Sequence, residues 1–364
     1  MRNNLKSKQN TRGISDALIA GLPKIELHRH LEGSFRIDTL IELGRKRGLK
    51  KLPLDDRERF RHLVQMTADD TPDFLTFLSK FRANWYSTLD DPKRLAYEAV
   101  EDAAKENIIY YEMRFSPEHF CRNSGFEIEE AIEAIIEGAL KAGEENSMQV
   151  AFLITLGREK LTLGEMHEYI KRCLPYRKHG VVGFDLAGDE PNCPPELFTN
   201  VFKGLYDRTG LHATIHAGEA AGAKNVRTSI IELEAVRIGH GFRAVEDPAV
   251  VDLLMKKQTL LEICLTSNLQ TGTVSRIEEH PFPELYQKGV AVTLNSDDPQ
   301  IQQSDLNTDY RLARDTFGFG LEDFYNVNKT SIEGIFQDPQ IQTELLQRYT
   351  ALFERCCHAG DGTG

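Results

Sequence analysis

The stretch PKIELHRHLEG, residues 23–33, has the character of a buried strand, yet it places polar side chains at every second position. Successive side chains of a strand point to opposite faces, so Glu26, His28 and His30 share one face and apolar residues occupy the other. In a parallel sheet covered by helices, the covered face takes the apolar residues. If the sheet closes into a barrel, the polar face must therefore point towards the barrel axis.

Eight short runs rich in apolar and β-branched residues are spaced along the chain: KIELHRH, IIYYEMRF, QVAFLITL, VVGFDLA, HATIHAG, AVRIGHG, LLEICLT and VAVTLNS. Most of them are separated by stretches of helical periodicity, of which residues 128–140 are a clear example. Eight β-then-α units predict an α/β protein with the (β/α)8 TIM barrel fold. A doubly wound open sheet is the competing fold, but it usually has fewer strands.

The domain organisation follows from the spacing of these units. We predict a flexible N-terminal tail over residues 1–20 and a single barrel domain over residues 21–364, which ends in a helical extension. A helical insertion, residues 36–107, separates the first two strands and should lie on the C-terminal face, where barrel active sites are built. Its aromatic residues either pack the extra helices or cover a pocket, and both interpretations stay open for Phe74, Phe77, Phe81 and Trp85.

The composition argues against nucleic acid and membranes as partners. The 364 residues include 56 acidic and 44 basic residues, a formal net charge of -12, and such a protein is not suited to polyphosphate or anionic lipid. The apolar runs are far shorter than the roughly 18 residues that a membrane helix needs. The basic N-terminus has no apolar segment after it, as a secretory signal would, and six scattered cysteines without a CxxC pair are typical of the cytoplasm. We therefore predict a cytoplasmic protein, and the charge by itself says nothing about a small uncharged substrate.

Two later strands repeat the pattern of the first. The fifth places His212, Thr214 and His216 on one face, and the eighth places Thr293, Asn295 and Asp297 there. Polar groups that converge on a dry axis are costly unless something pairs with them, and three imidazoles with one carboxylate suit a divalent transition metal, zinc above all. The sequence therefore predicts a zinc site with four ligands: His28, His30, His216 and Asp297.

The order of the polar motifs resembles one family, the adenosine deaminase branch of the amidohydrolase superfamily. The motifs are PKIELHRHLEG, DLAGDE (185–190), HAGE (216–219), GHG (239–241), NSDDP (295–299) and SDLNTDYRLA (304–313). The resemblance implies the same four ligands and one Zn²⁺ per subunit, which lowers the pKa of a bound water from 15.7 to about 7.

The resemblance also implies the catalytic residues. His240 would hold and orient the attacking water, although a histidine between two glycines also suits a tight turn. Glu219 would donate a proton to purine N1, which requires a pKa raised by burial. Asp298 would hydrogen-bond purine N7, and the alternative is that it only caps the helix that begins at Pro299.

Substrate-binding residues follow from the same resemblance. The backbone N–H of Gly188 would contact purine N3, unless the glycine only turns the chain, and His30 and Asp298 would face the substrate. Glu32 occupies the position of an acidic residue that bonds the ribose 5′-hydroxyl, usually aspartate in adenosine deaminases. The glutamate favours the free base or a modified nucleoside, whereas the SDLNTDY motif favours adenosine.

The predicted function is zinc-dependent hydrolytic deamination of adenosine, and of 2′-deoxyadenosine, to inosine and ammonia in purine salvage. The alternatives are deamination of adenine or of a modified nucleoside such as 5′-methylthioadenosine or aminodeoxyfutalosine. A cytidine-type deaminase is excluded because the chain has no CxxC. A two-metal hydrolase is disfavoured because VVGFDLAG offers no bridging lysine, and a non-enzymatic relative would be expected to lack Glu219, His240 or a ligand.

Overall fold

The structure, a computed structural model, describes residues 14–361, with side chains as far as His358. In this part of the chain eight parallel strands pair in sequence order: β1 Lys24–His30, β2 Ile108–Phe115, β3 Gln149–Gly157, β4 Val181–Ala187, β5 His212–Ala217, β6 Arg237–His240, β7 Leu260–Ile263 and β8 Val292–Leu294. The sheet closes after β8, where the N–H of His30 donates to the carbonyl of Asp297 (2.9 Å) and the N–H of Asp297 donates to the carbonyl of His28 (2.8 Å). The predicted barrel is confirmed, and the open sheet is excluded.

Helices follow the strands as predicted, and further helices lie in the insertion and at the C-terminus. Their bounds are α1 Asp16–Gly21, α2 Ile37–Lys46, α3 Arg57–Val64, α4 Phe74–Leu78, α5 Asp90–Lys105, α6 Pro117–Cys121, α7 Ile128–Glu145, α8 Leu163–Cys173, α9 Thr199–Phe202, α10 Leu205–Thr209, α11 Ala223–Ile231, α12 Pro248–Lys257, α13 Leu265–Gln270, α14 Phe282–Gln287, α15 Pro299–Gln302, α16 Leu306–Phe317, α17 Leu321–Glu333 and α18 Pro339–Asp361. Short 3-10 helices occur at Leu174–His179, Pro195–Phe198, Phe242–Glu246 and Ile277–Glu279.

The helix α7 illustrates how periodicity produces a barrel helix. Its start is stabilised by the carboxylate of Glu130, which accepts a hydrogen bond from the N–H of Glu127 (3.0 Å). The predicted apolar stripe is buried against α5 and β3, except that Leu140 at its end is exposed. The buried residues of the stripe are Ile128, Ala131, Ile132, Ile135, Ile136 and Ala139.

The N-terminal boundary differs from the prediction. Residues 1–13 of the predicted tail lie outside the described residues, but the helix α1 already begins at Asp16, with Ser15 accepting a hydrogen bond from the N–H of Leu18 (3.1 Å). Ile19 is fully buried, and the ammonium of Lys24 donates to its carbonyl (2.7 Å). The short apolar face of α1 packs on α16 and α18 because it covers the end of the barrel opposite the strand C-termini.

The insertion lies at the mouth formed by the C-terminal ends of the strands. Its Met66 N–H donates to the carbonyl of Ile301 (2.8 Å), which belongs to α15 directly after β8. Phe77 and Phe81 pack with the same two residues in a small apolar cluster. The insertion therefore covers the end of the barrel where the polar residues of the strands were predicted to converge.

The barrel interior below this mouth is a buried network of ion pairs. Arg237 contacts Glu112 (2.6 Å) and Glu262 (2.7 Å), and Arg114 contacts Glu262 (2.8 Å). Each charge has an opposite partner, as burial requires, so the network stabilises the side chains above it.

At the C-terminal end of the chain, the described helices α17 and α18 pack on each other and α17 also contacts β1 and β8. No helix in residues 14–361 combines the length and apolar character that crossing a membrane requires.

Candidate functional site

A cavity of about 230 Å³ lies at the C-terminal mouth of the barrel. Its walls come from the ends of the strands and from the insertion. Among the aromatics whose role was left open, Phe74, Phe77 and Phe81 line this cavity, whereas Trp85 is buried beside Phe60 at a ring-centroid distance of 5.8 Å. The insertion therefore both covers the cavity and supplies packing, and the two roles fall on different residues.

The four predicted metal ligands converge in this cavity. One ligand atom from each of His28, His30, His216 and Asp297 lies within 4.8 Å of the others. The Nε2 atoms of His30 and His216 are 3.2 Å apart, and Oδ1 of Asp297 lies 3.3 Å from Nε2 of His28 and 3.5 Å from Nε2 of His30. His212, predicted on the same strand face as His216, is half-buried at the start of β5 and stacks on Tyr206 instead.

These atoms fit a bound metal ion. Nε2 of His28 is buried and forms no hydrogen bond with any described residue, because its contact with Asp297 lacks hydrogen-bond geometry. Burial lowers the pKa of His30 and His216, so both imidazoles are neutral, as metal ligation requires. Three imidazoles and a carboxylate form a suitable donor set for a divalent transition metal.

Carboxylates behind the ligands orient two of the imidazoles. Nδ1 of His28 lies 2.7 Å from Glu262, and Nδ1 of His216 lies 2.9 Å from Asp185. These contacts hold Nδ1–H of each ring and direct Nε2 towards the shared centre. Arg114 contacts both carboxylates. These supporting carboxylates were not predicted from the sequence. An isolated acidic residue in the middle of an apolar strand run is a signal that could have indicated them.

Two turns at strand ends have unusual backbone geometry. His240 ends β6 with φ of 60°, and Asp297 follows β8 with φ of 61°. Non-glycine residues rarely adopt this left-handed conformation, which concentrates at functional sites. Here it turns both side chains into the cavity mouth. Two of the predicted functional residues are thus placed by backbone strain that a pattern of alternation does not predict.

Glu219 and His240 face each other beside the ligand cluster. Oε2 of Glu219 lies 3.4 Å from Nε2 of His240, and Nδ1 of His240 lies 3.2 Å from the side-chain amide of Asn268. Burial, together with Asp297 and Glu190, raises the pKa of Glu219 well above its ordinary value. Burial lowers the pKa of His240 well below its ordinary value. Both shifts favour the uncharged form of the group, a carboxylic acid at Glu219 and a neutral imidazole at His240.

The loop that holds Glu219 is shaped by a residue that the sequence analysis did not single out. Glu190 Oε1 accepts a hydrogen bond from the N–H of Gly218 (2.7 Å), and its Oε2 accepts from the N–H groups of Glu219 (3.2 Å) and Ala220 (2.9 Å). One carboxylate thus satisfies several consecutive backbone donors. Cys264 was also not singled out, and it offers a buried thiol near His240 and Asp297.

Asp298 faces the cavity instead of capping a helix. Its side chain makes no capping hydrogen bond to α15, and its Oδ1 is buried without a hydrogen-bond partner among residues 14–358. Burial and the neighbouring Asp297 raise the pKa of Asp298 well above its ordinary value. A Cβ on Gly33 would lie 1.8 Å from Oδ1 of Asp298, so the glycine of PKIELHRHLEG makes room for this carboxyl.

The remaining predicted residues line the same cavity. Gly188 has a φ of 109°, and a Cβ there would lie 2.2 Å from Oε2 of Glu159, so both the turn and the close approach require glycine. Oε1 of Glu32 accepts a hydrogen bond from the N–H of Ser116 (2.6 Å). Burial raises the pKa of Glu32 to about 8. All the predicted site residues are therefore brought together at one cavity.

The fold and the site define a class of protein. The chain forms a closed (β/α)8 barrel, and at its C-terminal mouth imidazoles and a carboxylate surround one centre beside a buried carboxylic acid. This is the architecture of a metal-dependent hydrolase. The model of the Adenosine deaminase family matches residues 23–351. The chain belongs to the adenosine deaminase family.

Individual relatives agree with this assignment. An adenosine deaminase of Klebsiella pneumoniae is 37% identical over 335 residues, which cover 90% of this chain and 98% of the relative. An adenine deaminase structure from Arthrobacter aurescens has 25% identity and a TM-score of 0.82, covering 92% of this chain and 99% of the other. An N6-methyl-AMP deaminase structure from Arabidopsis thaliana has 27% identity and a TM-score of 0.79, covering 93% and 98%.

Proposed function

We propose that the protein hydrolyses adenosine, and also 2′-deoxyadenosine, to the corresponding inosine nucleoside and ammonia. The observation that supports this most directly is the position of the buried carboxyl of Glu219, which lies 3.4 Å from His240 beside four converging metal-ligand atoms. Membership of the adenosine deaminase family agrees with the same reaction. In the reaction the C6–O bond forms, the C6–N bond breaks, and water supplies the oxygen.

The metal is proposed to be zinc, one ion per chain, held by His28, His30, His216 and Asp297. The mixed imidazole and carboxylate donor set favours zinc over the alkaline-earth ions, which prefer oxygen ligands. When bound, the metal supplies Lewis-acid chemistry that makes hydroxide available at neutral pH. Glu262 and Asp185 keep Nε2 of His28 and of His216 directed at the ion through their contacts with Nδ1.

Glu219 and His240 are proposed to handle the protons. Glu219 enters the reaction as the acid and donates its proton to purine N1, which removes electron density from C6 as the water oxygen attacks. The resulting carboxylate then accepts a proton from the attacking oxygen and delivers it to the amino nitrogen, so the C6–N bond breaks and ammonia leaves. His240 is held by Asn268 at Nδ1 and directs Nε2 towards Glu219, so it orients the attacking water.

Asp298 and Gly188 are proposed to position the purine. The protonated carboxyl of Asp298, whose Oδ1 lacks a protein partner within the described side chains, would donate to N7. The backbone N–H of Gly188 would donate to N3 from the opposite edge of the base. Such contacts place C6 at the metal site and hold it in the geometry for attack.

The charges around the cavity support a neutral nucleoside rather than a nucleotide. The cations at the wall are already paired, Arg122 with Glu118 (2.7 Å) and Lys160 with Glu159 (2.9 Å). No unpaired cation among the lining residues therefore remains for a 5′-phosphate. Glu32, whose pKa burial raises to about 8, adds no positive charge to the same wall. The location is proposed to be the cytoplasm, because the six cysteines are scattered and include no CxxC pair.

A substrate panel tests the proposal and its alternative. Loss of the adenosine absorbance band would be followed with zinc-loaded protein for adenosine, 2′-deoxyadenosine, adenine, AMP, 5′-methylthioadenosine and aminodeoxyfutalosine. The proposal expects the highest kcat/KM with adenosine and 2′-deoxyadenosine. The adenine deaminase alternative, which the likeness to the Arthrobacter aurescens structure keeps in view, expects adenine to exceed both nucleosides. That result would replace the nucleoside assignment.

A further inference from the structure

Two polar atoms on one wall of the cavity lack partners. His119, on α6, and Glu32 both line the cavity. Nε2 of His119 and Oε2 of Glu32 are buried, and neither forms a hydrogen bond with any residue that the structure describes. The hydroxyl of Tyr86, buried behind this wall, also lacks a partner there. Buried polar groups are nearly always hydrogen-bonded, so such a group at a cavity wall suggests a missing ligand.

The two lining residues are held together by the local fold. The N–H of Ser116 donates to Oε1 of Glu32 (2.6 Å), and Ser116 is the residue from which α6 begins. The ring of His119 packs among aromatic rings, with centroid distances of 5.3 Å to Phe120 and 6.0 Å to Tyr86. His119 is therefore fixed in orientation by packing instead of by hydrogen bonds. Its Nε2 is left without a partner among the described residues, while the residue itself lines the cavity.

The chemistry of the wall selects the ligand. Burial lowers the pKa of His119 to about 3, so the imidazole is neutral and offers one donor and one acceptor nitrogen. A neutral imidazole beside the carboxyl of Glu32 suits hydroxyl groups, which both donate and accept hydrogen bonds. It does not suit a phosphate, which needs cationic donors. A purine base alone has no such hydroxyls, whereas a ribose has three.

We propose that His119 is a specificity-determining residue that hydrogen-bonds a ribose hydroxyl of the substrate. This inference rests on the proposed function, because it assumes a purine nucleoside in the cavity. The hydrogen bond adds binding energy that a free base does not receive. The site therefore prefers adenosine over adenine, and His119 supplies part of the preference.

Two variants test the role of His119. His119→Phe keeps an aromatic ring among Phe120 and Tyr86 but removes the hydrogen bond, and His119→Gln restores a polar group. The kcat/KM for adenosine should fall about 10–100-fold in His119→Phe, as expected for an unpaired hydroxyl in a buried site. The glutamine variant should recover much of the loss. The kcat/KM for adenine should change little in either variant.

Deoxy analogues identify the hydroxyl. Among 2′-, 3′- and 5′-deoxyadenosine, the analogue that lacks the contacted hydroxyl should be insensitive to His119→Phe, and the other two should lose as much as adenosine. An equal loss with adenosine, adenine and every analogue would overturn the proposal, since it would indicate a structural role. Unchanged adenosine kinetics in His119→Phe would overturn it as well. Tyr86→Phe, which removes a hydroxyl behind the wall, is the control for disturbance of the aromatic cluster.

A binding measurement separates this inference from the proposed reaction. Titration calorimetry with inosine and hypoxanthine requires no turnover. The wild-type protein should bind inosine more tightly than hypoxanthine, and His119→Phe should reduce that difference by about tenfold or more. If the wild-type protein fails to deaminate adenosine while this difference persists, the reaction is wrong and the ribose contact stands. If the difference is unaffected by His119→Phe, the ribose contact is wrong.

Discussion

Oε2 of Glu219 lies 3.4 Å from Nε2 of His240, and both side chains are buried at the mouth of the barrel. Burial raises the pKa of the carboxyl and lowers the pKa of the imidazole, so burial favours the neutral form of each group. A carboxyl in this state is a general acid. The pair lies next to the four ligand atoms, so in the proposed reaction the acid and a bound metal ion would face the same substrate atom.

Replacement of this acid should separate chemistry from metal binding. Glu219→Gln keeps the size of the side chain but cannot donate the proton, so kcat for adenosine should fall by about 10²–10⁴-fold. Metal content, measured by atomic absorption after gel filtration, should stay near that of the wild type. The exposed Glu278→Gln is the matched control and should leave both values unchanged. Turnover near the wild-type rate in Glu219→Gln would remove this residue from the mechanism.

Loss of the carboxylate ligand should cost metal as well as activity. In Asp297→Ala three imidazoles remain, and the affinity for zinc should fall by at least about 100-fold, since outer-shell changes alone cost 10–100-fold. Metal content after dialysis against a weak chelator measures the effect. Asp185→Asn, which keeps the contact with Nδ1 of His216, should lose less. A fully metallated Asp297→Ala protein would show that this carboxylate is not a ligand.

Removal of the metal should lower thermal stability. The ion binds only the folded arrangement of the four ligands, so it stabilises by about 4 kcal/mol when its concentration is 1,000 times Kd. A chelator should reduce Tm, and zinc should restore it, whereas magnesium should not because it prefers oxygen ligands. Differential scanning fluorimetry provides the measurement. A Tm that does not respond to chelation in a protein shown to have lost its metal would contradict a four-ligand site.

Asp309 should make stability depend on pH. Its carboxylate oxygens accept hydrogen bonds from the N–H (2.9 Å) and hydroxyl (3.0 Å) of Thr266, and burial raises its pKa from 3.8 to about 7. The folded state therefore holds this proton more tightly than the unfolded state, and the contribution to stability is lost as the pH rises from about 4 to above 7. The free energy of unfolding, measured with urea, should decline over this pH range. The decline should be smaller in Asp309→Asn by about 1–2 kcal/mol. Parallel profiles for the two proteins would refute this role.

The paired charges at the cavity wall should discriminate against nucleotides. Removing the carboxylates in Glu118→Gln/Glu159→Gln leaves Arg122 and Lys160 unpaired, so kcat/KM for AMP relative to adenosine should rise about tenfold at low salt. The gain should shrink as ionic strength rises, because these groups are partly exposed. Exposed Glu278→Gln/Glu279→Gln is the matched control. An unchanged AMP-to-adenosine ratio would show that the ion pairs do not set this preference.

Much of the barrel could be predicted from the chain itself. The alternation in PKIELHRHLEG placed His28 and His30 on one inward face, and the structure brings them together with His216 and with Asp297, which lies beyond the end of β8. Helical periodicity predicted α7 and its buried face. The predicted tail was wrong at its inner boundary, where α1 begins at Asp16, because three or four apolar residues in a polar context give no strong periodic signal.

Other features of the site depend on distances that no pattern along the chain encodes. Glu262 meets His28 from a strand 234 residues away, and Glu190 binds the loop of Glu219 from 28 residues before Gly218. Nothing in the sequence around His119 distinguishes it from other residues of a short helix. Only the structure shows that its Nε2 is unpaired and that the residue lines the cavity. Side-chain alternation and helical period are properties of neighbouring residues, so the sequence by itself determined the barrel and the inward direction of its ligands. Which buried groups meet, and which stay unpaired, depends on the closure of the sheet, so only the tertiary structure decided the acid–imidazole pair and the walls of the substrate cavity.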